Sequence, residues 1–96
     1  MEEIYLDHAA TTPVDPEVIE AMQTAMDEVY GNPSSVHAHG RKARKILDEA
    51  RRTAAISINA NEKEIYFTSG GTEADNIALV GAAFANRKNG NHIITS

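Results

Sequence analysis

Cysteine and tryptophan are absent from the 96 residues, proline occurs three times, and aromatic side chains make up 5%. Without cysteine there is no disulfide, no thiolate metal site and no cysteine nucleophile within this chain. No stretch reaches the ~18 consecutive apolar residues of a membrane span. Cations are few: 9 Lys and Arg stand against 14 Asp and Glu, for a net charge of −5 with no basic block. That balance argues against nucleic acid or an anionic membrane as a partner. The opening Met1-Glu2-Glu3 is acidic and lacks the basic-then-apolar pattern of a signal peptide, so a cytoplasmic location is expected.

What is present has globular proportions, with 42% hydrophobic and 24% charged residues, and the length allows one domain at most. Ile4-Tyr5-Leu6 is a short extended run leading into the small-residue stretch Asp7 to Pro13. Asp15-Pro16-Glu17 is a helix start, with Asp as cap, Pro in the first position and an acid in the first turn. Val18, Met22, Met26 and Val29 form its apolar stripe, with Ile19 and Ala25 beside them. Gly31 is expected to end this helix as a left-handed cap, and Pro33 to prevent its resumption. Asn32-Pro33-Ser34-Ser35 is turn chemistry ending in a candidate cap. A long helix is expected to follow, to about Ile58. Its apolar stripe steps through Val36, Gly40, Ala43, Leu47, Ala50 and Ala54. Its charges form a solvated face, on which Asp48 and Arg52 are spaced to pair.

Asn59 to Asn61 break that helix. Ile65-Tyr66-Phe67-Thr68 favours a strand, with Tyr66 and Phe67 as core. Ser69-Gly70-Gly71-Thr72 is a sharp turn. A third helix with a broad apolar surface, expected to be covered on most sides, runs from Ala74 through Ile77, Val80 and Phe84. His92 to Ser96 begins another strand. Strand, glycine turn, helix, strand is a βαβ unit whose strands lie parallel. Parallel strands belong to larger buried sheets, so the expectation is an α/β protein of which this chain is the N-terminal piece.

The glycine turn is the candidate site. A strand-to-helix junction presents unpaired N–H groups and the positive end of the helix dipole, and the glycines allow an anion close approach. Thr72 and Ser69 add hydroxyls. The alternative is a tight turn with an ordinary Thr cap. The run matches neither the nucleoside-triphosphate loop nor the dinucleotide fingerprint, so a monophosphate ester suits it best. Glu73 repels such a group unless it turns away. Asn76 either faces the site or caps a neighbouring loop. His37 and His39, two apart on a helix, make no metal pair, and His8 beside Asp7 makes no oriented base on an extended chain.

Three runs then coincide: Ile4 to Thr12 (IYLDHAATT), Gly31 to Gly40 (GNPSSVHAHG) and Ile65 to Asn76 (IYFTSGGTEADN). In this order and spacing they closely resemble the start of cysteine desulfurases, pyridoxal-phosphate enzymes of the class V aminotransferase group. His8 departs from the pattern. The resemblance implies a fold type I transferase with a mostly parallel large-domain sheet and flanking helices. Residues 1–60 are then the N-terminal segment and the helices leading into the large domain. Residues 61–96 begin the cofactor-binding large domain. The implied cofactor is pyridoxal 5′-phosphate, held at Gly71 and Thr72, with Asn32 and His37 on the substrate side and no metal. The implied reaction takes sulfur from L-cysteine, giving L-alanine and an enzyme persulfide. A homodimer passes that sulfur to a scaffold protein for iron–sulfur cluster and sulfur-cofactor assembly. The Schiff-base lysine and the persulfide cysteine come later in such proteins, and none of Lys42, Lys45, Lys63 and Lys88 sits in the lysine's context. No catalytic residue is therefore expected in this chain. Two alternatives stand beside this one: another class V enzyme, an aminotransferase or selenocysteine lyase, and a non-catalytic anion-binding module.

Overall fold

A computed structural model describes Met1 and residues 3–95. Three α-helices carry the chain: α1 (Pro16–Glu28), α2 (Ala38–Ser57) and α3 (Gly71–Ala85), with one 3₁₀ turn, Glu62–Glu64, between α2 and α3. None is long and apolar enough to cross a membrane.

Helix α1 starts as its sequence dictates. Asp15 Oδ1 accepts the Glu17 N–H at 2.9 Å, and Pro16 occupies the first helical position. It ends earlier than expected, at Glu28, with Val29 as cap. Gly31 is not left-handed; among the described residues a φ between +20° and +160° belongs to Asn59 and Gly90. The glycine is needed for closeness instead. A Cβ at position 31 would lie 2.5 Å from the His39 carbonyl oxygen, where the chain crosses the first turn of α2.

Helix α2 begins three residues after Ser35, whose N–H donates to the Asn32 carbonyl at 2.9 Å. His37 caps the helix in its place, Nδ1 accepting the Gly40 N–H at 3.3 Å. The far end closes as a Schellman motif. Asn59 takes φ 53°, its N–H reaches the Ile56 carbonyl at 3.2 Å, and the Ala60 N–H reaches the Ala55 carbonyl at 2.9 Å. Asn61 and Glu64 then form a reciprocal capping box around the 3₁₀ turn. Arg52 departs from the expected pairing. It turns to Glu62 at 2.9 Å, while Asp48 holds Arg44 at 3.3 Å and Arg51 at 3.2 Å. The Arg51 guanidinium also lies 5.3 Å from the centre of the Phe67 ring. Helix α2 and the 3₁₀ turn are the two elements that pack together among the described residues.

No strand forms among the described residues. Residues 65–68 and 92–95 run without ladder partners, and Ser96, at the end of the second expected strand, lies outside the described residues. The physical reason is that a strand is completed by its neighbours: parallel pairing is weak, and small sheets need a third strand or a covering helix. Tyr66 and Phe67, expected in a core, are exposed accordingly.

Among the described residues, the buried apolar side chains are Ala43 and Ala55. Helix α3 buries nothing, and Ile77, Leu79, Val80 and Phe84 are each more than half exposed. The radius of gyration is 18.6 Å, against about 12.5 Å for a compact domain of this length. Residues 1–96 expressed alone should therefore be expanded, bind hydrophobic dyes and give poorly dispersed amide spectra. Sharp, dispersed amide signals from a monomer would contradict that expectation.

Candidate functional site

The turn before α3 is built from small residues and tied by three side chains. Thr68 Oγ1 donates to the Gly70 carbonyl at 3.1 Å, and the same carbonyl accepts the Ala74 N–H at 3.1 Å. Asn76 Nδ2 donates to the Thr72 carbonyl at 2.7 Å, so it braces the first turn of its own helix. Glu73 turns away from that turn: its Oε2 accepts the Ser69 N–H at 2.8 Å and the Ser69 hydroxyl at 2.5 Å. The hydroxyl and then the N–H of Ser69 hold the Glu73 carboxyl below the usual carboxylate range. Ser69 is thereby removed from the set of anion donors read from the sequence.

The N–H groups of Gly71, Thr72 and Glu73 have no hydrogen-bond partner among the described residues, and Gly70 offers no side-chain cap. Nothing lies within 4 Å of where a Cβ would stand on Gly70 or Gly71. Three open N–H groups at the positive end of a 15-residue helix, with the Thr72 hydroxyl beside them, fit a phosphate monoester.

The second candidate group lies on a separate element. Asn32 Oδ1 accepts the Ser34 N–H at 2.8 Å, closing an Asx turn. Capping by Nδ1 places the proton of the neutral His37 ring on Nε2, so an N–H donor is presented at the exposed side chain. The His39 ring stacks on Tyr30 at 5.6 Å. The two histidines are thus committed to different tasks, and no cluster of three metal-ligating side chains occurs among the described residues. The Arg41 guanidinium donates to the Val36 carbonyl, and Gly40 is buried under the Ser35 and Asn32 carbonyls. Helix α2, which His37 caps, does not pack on α3, so the structure does not bring Asn32 and His37 onto Gly71 and Thr72.

The segment 7–12 is also locally fixed. The Tyr5 hydroxyl donates to the Asp7 carbonyl at 3.0 Å and lies 2.7 Å from the Thr11 hydroxyl. Thr12 Oγ1 donates to the His8 carbonyl at 3.1 Å, and the His8 ring meets Tyr5 edge-on at 5.1 Å. Sequence reasoning missed the Glu73 link and the Tyr5 link. The first had a signal, an acid on the third residue of a helix; the second, a tyrosine before a Thr-rich turn, had none.

Residues 4–96 match the family model described as aminotransferase class-V. The chain is 56% identical over all of its length to IscS 1 of Bacillus subtilis (strain 168), covering 25% of that protein. It is 55% identical over 97% of its length to the cysteine desulfurase IscS of Methanosarcina thermophila, covering 23% of it. With the cysteine desulfurase IscS of Dictyoglomus turgidum it shares 54% identity over 98% of its length and covers 24%. It thus spans about a quarter of the length of the curated relatives it matches. With a family match that runs through the Asx turn, the capped start of α2 and the glycine turn alike, the chain belongs to the class-V aminotransferase family.

Proposed function

We propose that this chain is the N-terminal part of a pyridoxal-phosphate-dependent cysteine desulfurase, which converts L-cysteine to L-alanine and leaves the sulfur as an enzyme persulfide. The observation that carries it is the 54–56% identity, over 93 to 96 residues, to proteins of the IscS group. The open donor row at the start of α3 supports the cofactor assignment. Gly71 and Thr72 would hold the phosphate through their N–H groups and the Thr72 hydroxyl. When bound, pyridoxal 5′-phosphate supplies the electron sink for bond cleavage at the substrate.

The division of labour follows from chemistry. The phosphate end does not react, so it is best held by rigid, uncharged backbone donors that need no proton exchange. Asn32 and His37, braced by local bonds, belong on the substrate side, where His37 Nε2–H is a suitable donor to a carboxylate. Residues 65–68 and 92–95 become strands of the fold type I sheet once neighbours flank them. The persulfide thiol and the lysine that carries the cofactor lie outside this chain. The full protein is a cytoplasmic homodimer that hands sulfur to an acceptor scaffold for iron–sulfur cluster assembly.

The test uses the full-length protein with L-cysteine and a reductant. Equal yields of alanine and sulfide are expected, and alkylation of one cysteine should abolish sulfide release. Transfer of the amino group to an oxo acid without sulfide would favour an aminotransferase. A strong preference for L-selenocysteine would favour a lyase of that substrate.

A further inference from the structure

Glu73 is a charged group that the phosphate reading leaves without a task. A carboxylate on the third residue of a helix is ordinarily drawn to the first N–H groups, where it would compete with a bound anion. Here both bonds it accepts come from Ser69, two residues before the helix. The intervening backbone is Gly70-Gly71, the most freely rotating pair a chain can carry, and among the described residues nothing lies within 4 Å of where a Cβ would stand on either glycine. Left untied, such a turn loses affinity for any ligand, because ordering it opposes binding.

We propose that Glu73 is a positioning residue for the phosphate cradle: by fastening Ser69 it closes the Gly70-Gly71 turn and holds the N–H groups of Gly71 and Thr72 in one orientation. The inference rests on the phosphate site proposed above. Thr68 on the Gly70 carbonyl and Asn76 on the Thr72 carbonyl brace the same turn. Among the described residues, Glu73 is the side chain that ties the residue before the glycines to the helix after them.

Full-length protein stripped of cofactor would be titrated with pyridoxal 5′-phosphate, with pyridoxal and with inorganic phosphate. Glu73→Ala should weaken the two phosphate-bearing ligands by about 3- to 30-fold, the range expected for losing one to two hydrogen bonds. Pyridoxal binding should be unchanged. Glu73→Gln should stay close to wild type, since its amide oxygen still accepts from Ser69. Ser69→Ala, which removes one of the two donors, should fall between them and serves if Glu73→Ala does not fold. Tighter or unchanged phosphate binding in Glu73→Ala would overturn the proposal, showing simple charge repulsion or no role. Equal weakening of pyridoxal would overturn it in favour of general loosening. A Glu73→Gln variant as weak as Glu73→Ala would overturn it as well. Thr72→Val in the same titration separates the two readings. If it is unchanged, the phosphate site itself fails and the role of Glu73 with it. If it is weakened while Glu73→Ala is not, only the role of Glu73 fails.

Discussion

Thr72→Val in the full-length protein should lose pyridoxal phosphate on dialysis and recover activity when excess cofactor is added. Valine keeps the β-branched shape and replaces the hydroxyl with a methyl, so the helix and the neighbouring N–H groups are left in place. A hydrogen bond to a charged group contributes about 1.5–3 kcal/mol, which corresponds to a 10- to 150-fold change in affinity. On the proposed desulfurase reading, covalent attachment of the cofactor to a lysine outside this chain would mask part of that loss. Thr72→Ser, which retains the donor, should be much milder. Cofactor release is followed by absorbance, with circular dichroism reporting the fold. A folded Thr72→Val that holds the cofactor as tightly as wild type would reduce Thr72 to an ordinary first-turn residue and overturn the placement of the phosphate site.

Gly40→Ala should be the most damaging small substitution in the segment 31–41. A Cβ there runs into the Ser35 carbonyl, with the Asn32 carbonyl oxygen 2.8 Å away. Both are backbone atoms, so relief requires moving the Asx turn itself rather than rotating a side chain. Overpacking of this kind costs about 1–3 kcal/mol, and the upper part of that range is expected because the neighbours are fixed. The displaced turn carries Asn32 and His37. On the proposed placement of Asn32 and His37 beside the substrate and of the cofactor phosphate at α3, a raised KM for L-cysteine should accompany the lower denaturant midpoint, while cofactor retention should hold. Loss of cofactor without a change in KM would mean that the two candidate groups have been assigned the wrong way round.

The comparison of sequence with structure divides along sequence separation. Asp15-Pro16, Asn59 and the glycine turn before α3 were readable because each acts on residues two to five positions away. Gly31 was misread as a left-handed cap because its reason, the His39 carbonyl, is eight residues on and becomes visible only when the chain folds back. Arg52 was assigned to Asp48 by helical spacing, but Glu62, brought near by the Schellman turn, outcompetes it. The sheet was inferred from composition and connectivity, yet pairing is a property of neighbours, and residues 65–68 and 92–95 have none among the described residues. At the site, the donor row was legible as a pattern of small residues ahead of a helix. The binding of Ser69 by Glu73 was not, since an acid in a first turn has several donors to choose from and geometry alone selects one.

The closure of α2 has a consequence for how the protein is made. From the His37 cap to the capping box at Asn61 and the Arg51–Phe67 contact, each bond joins residues at most sixteen apart. Short loops close at little entropic cost, and contacts of this kind form early. The stretch 37–67 is thus able to take its shape on the ribosome while the residues after it are still being translated. Helix α3, apolar and bare, follows it out of the exit tunnel next. On the proposed fold type I reading, the vulnerable interval in synthesis would run from the emergence of Ile77 and Phe84 until a sheet covers them, and that is when a chaperone would have most to hold.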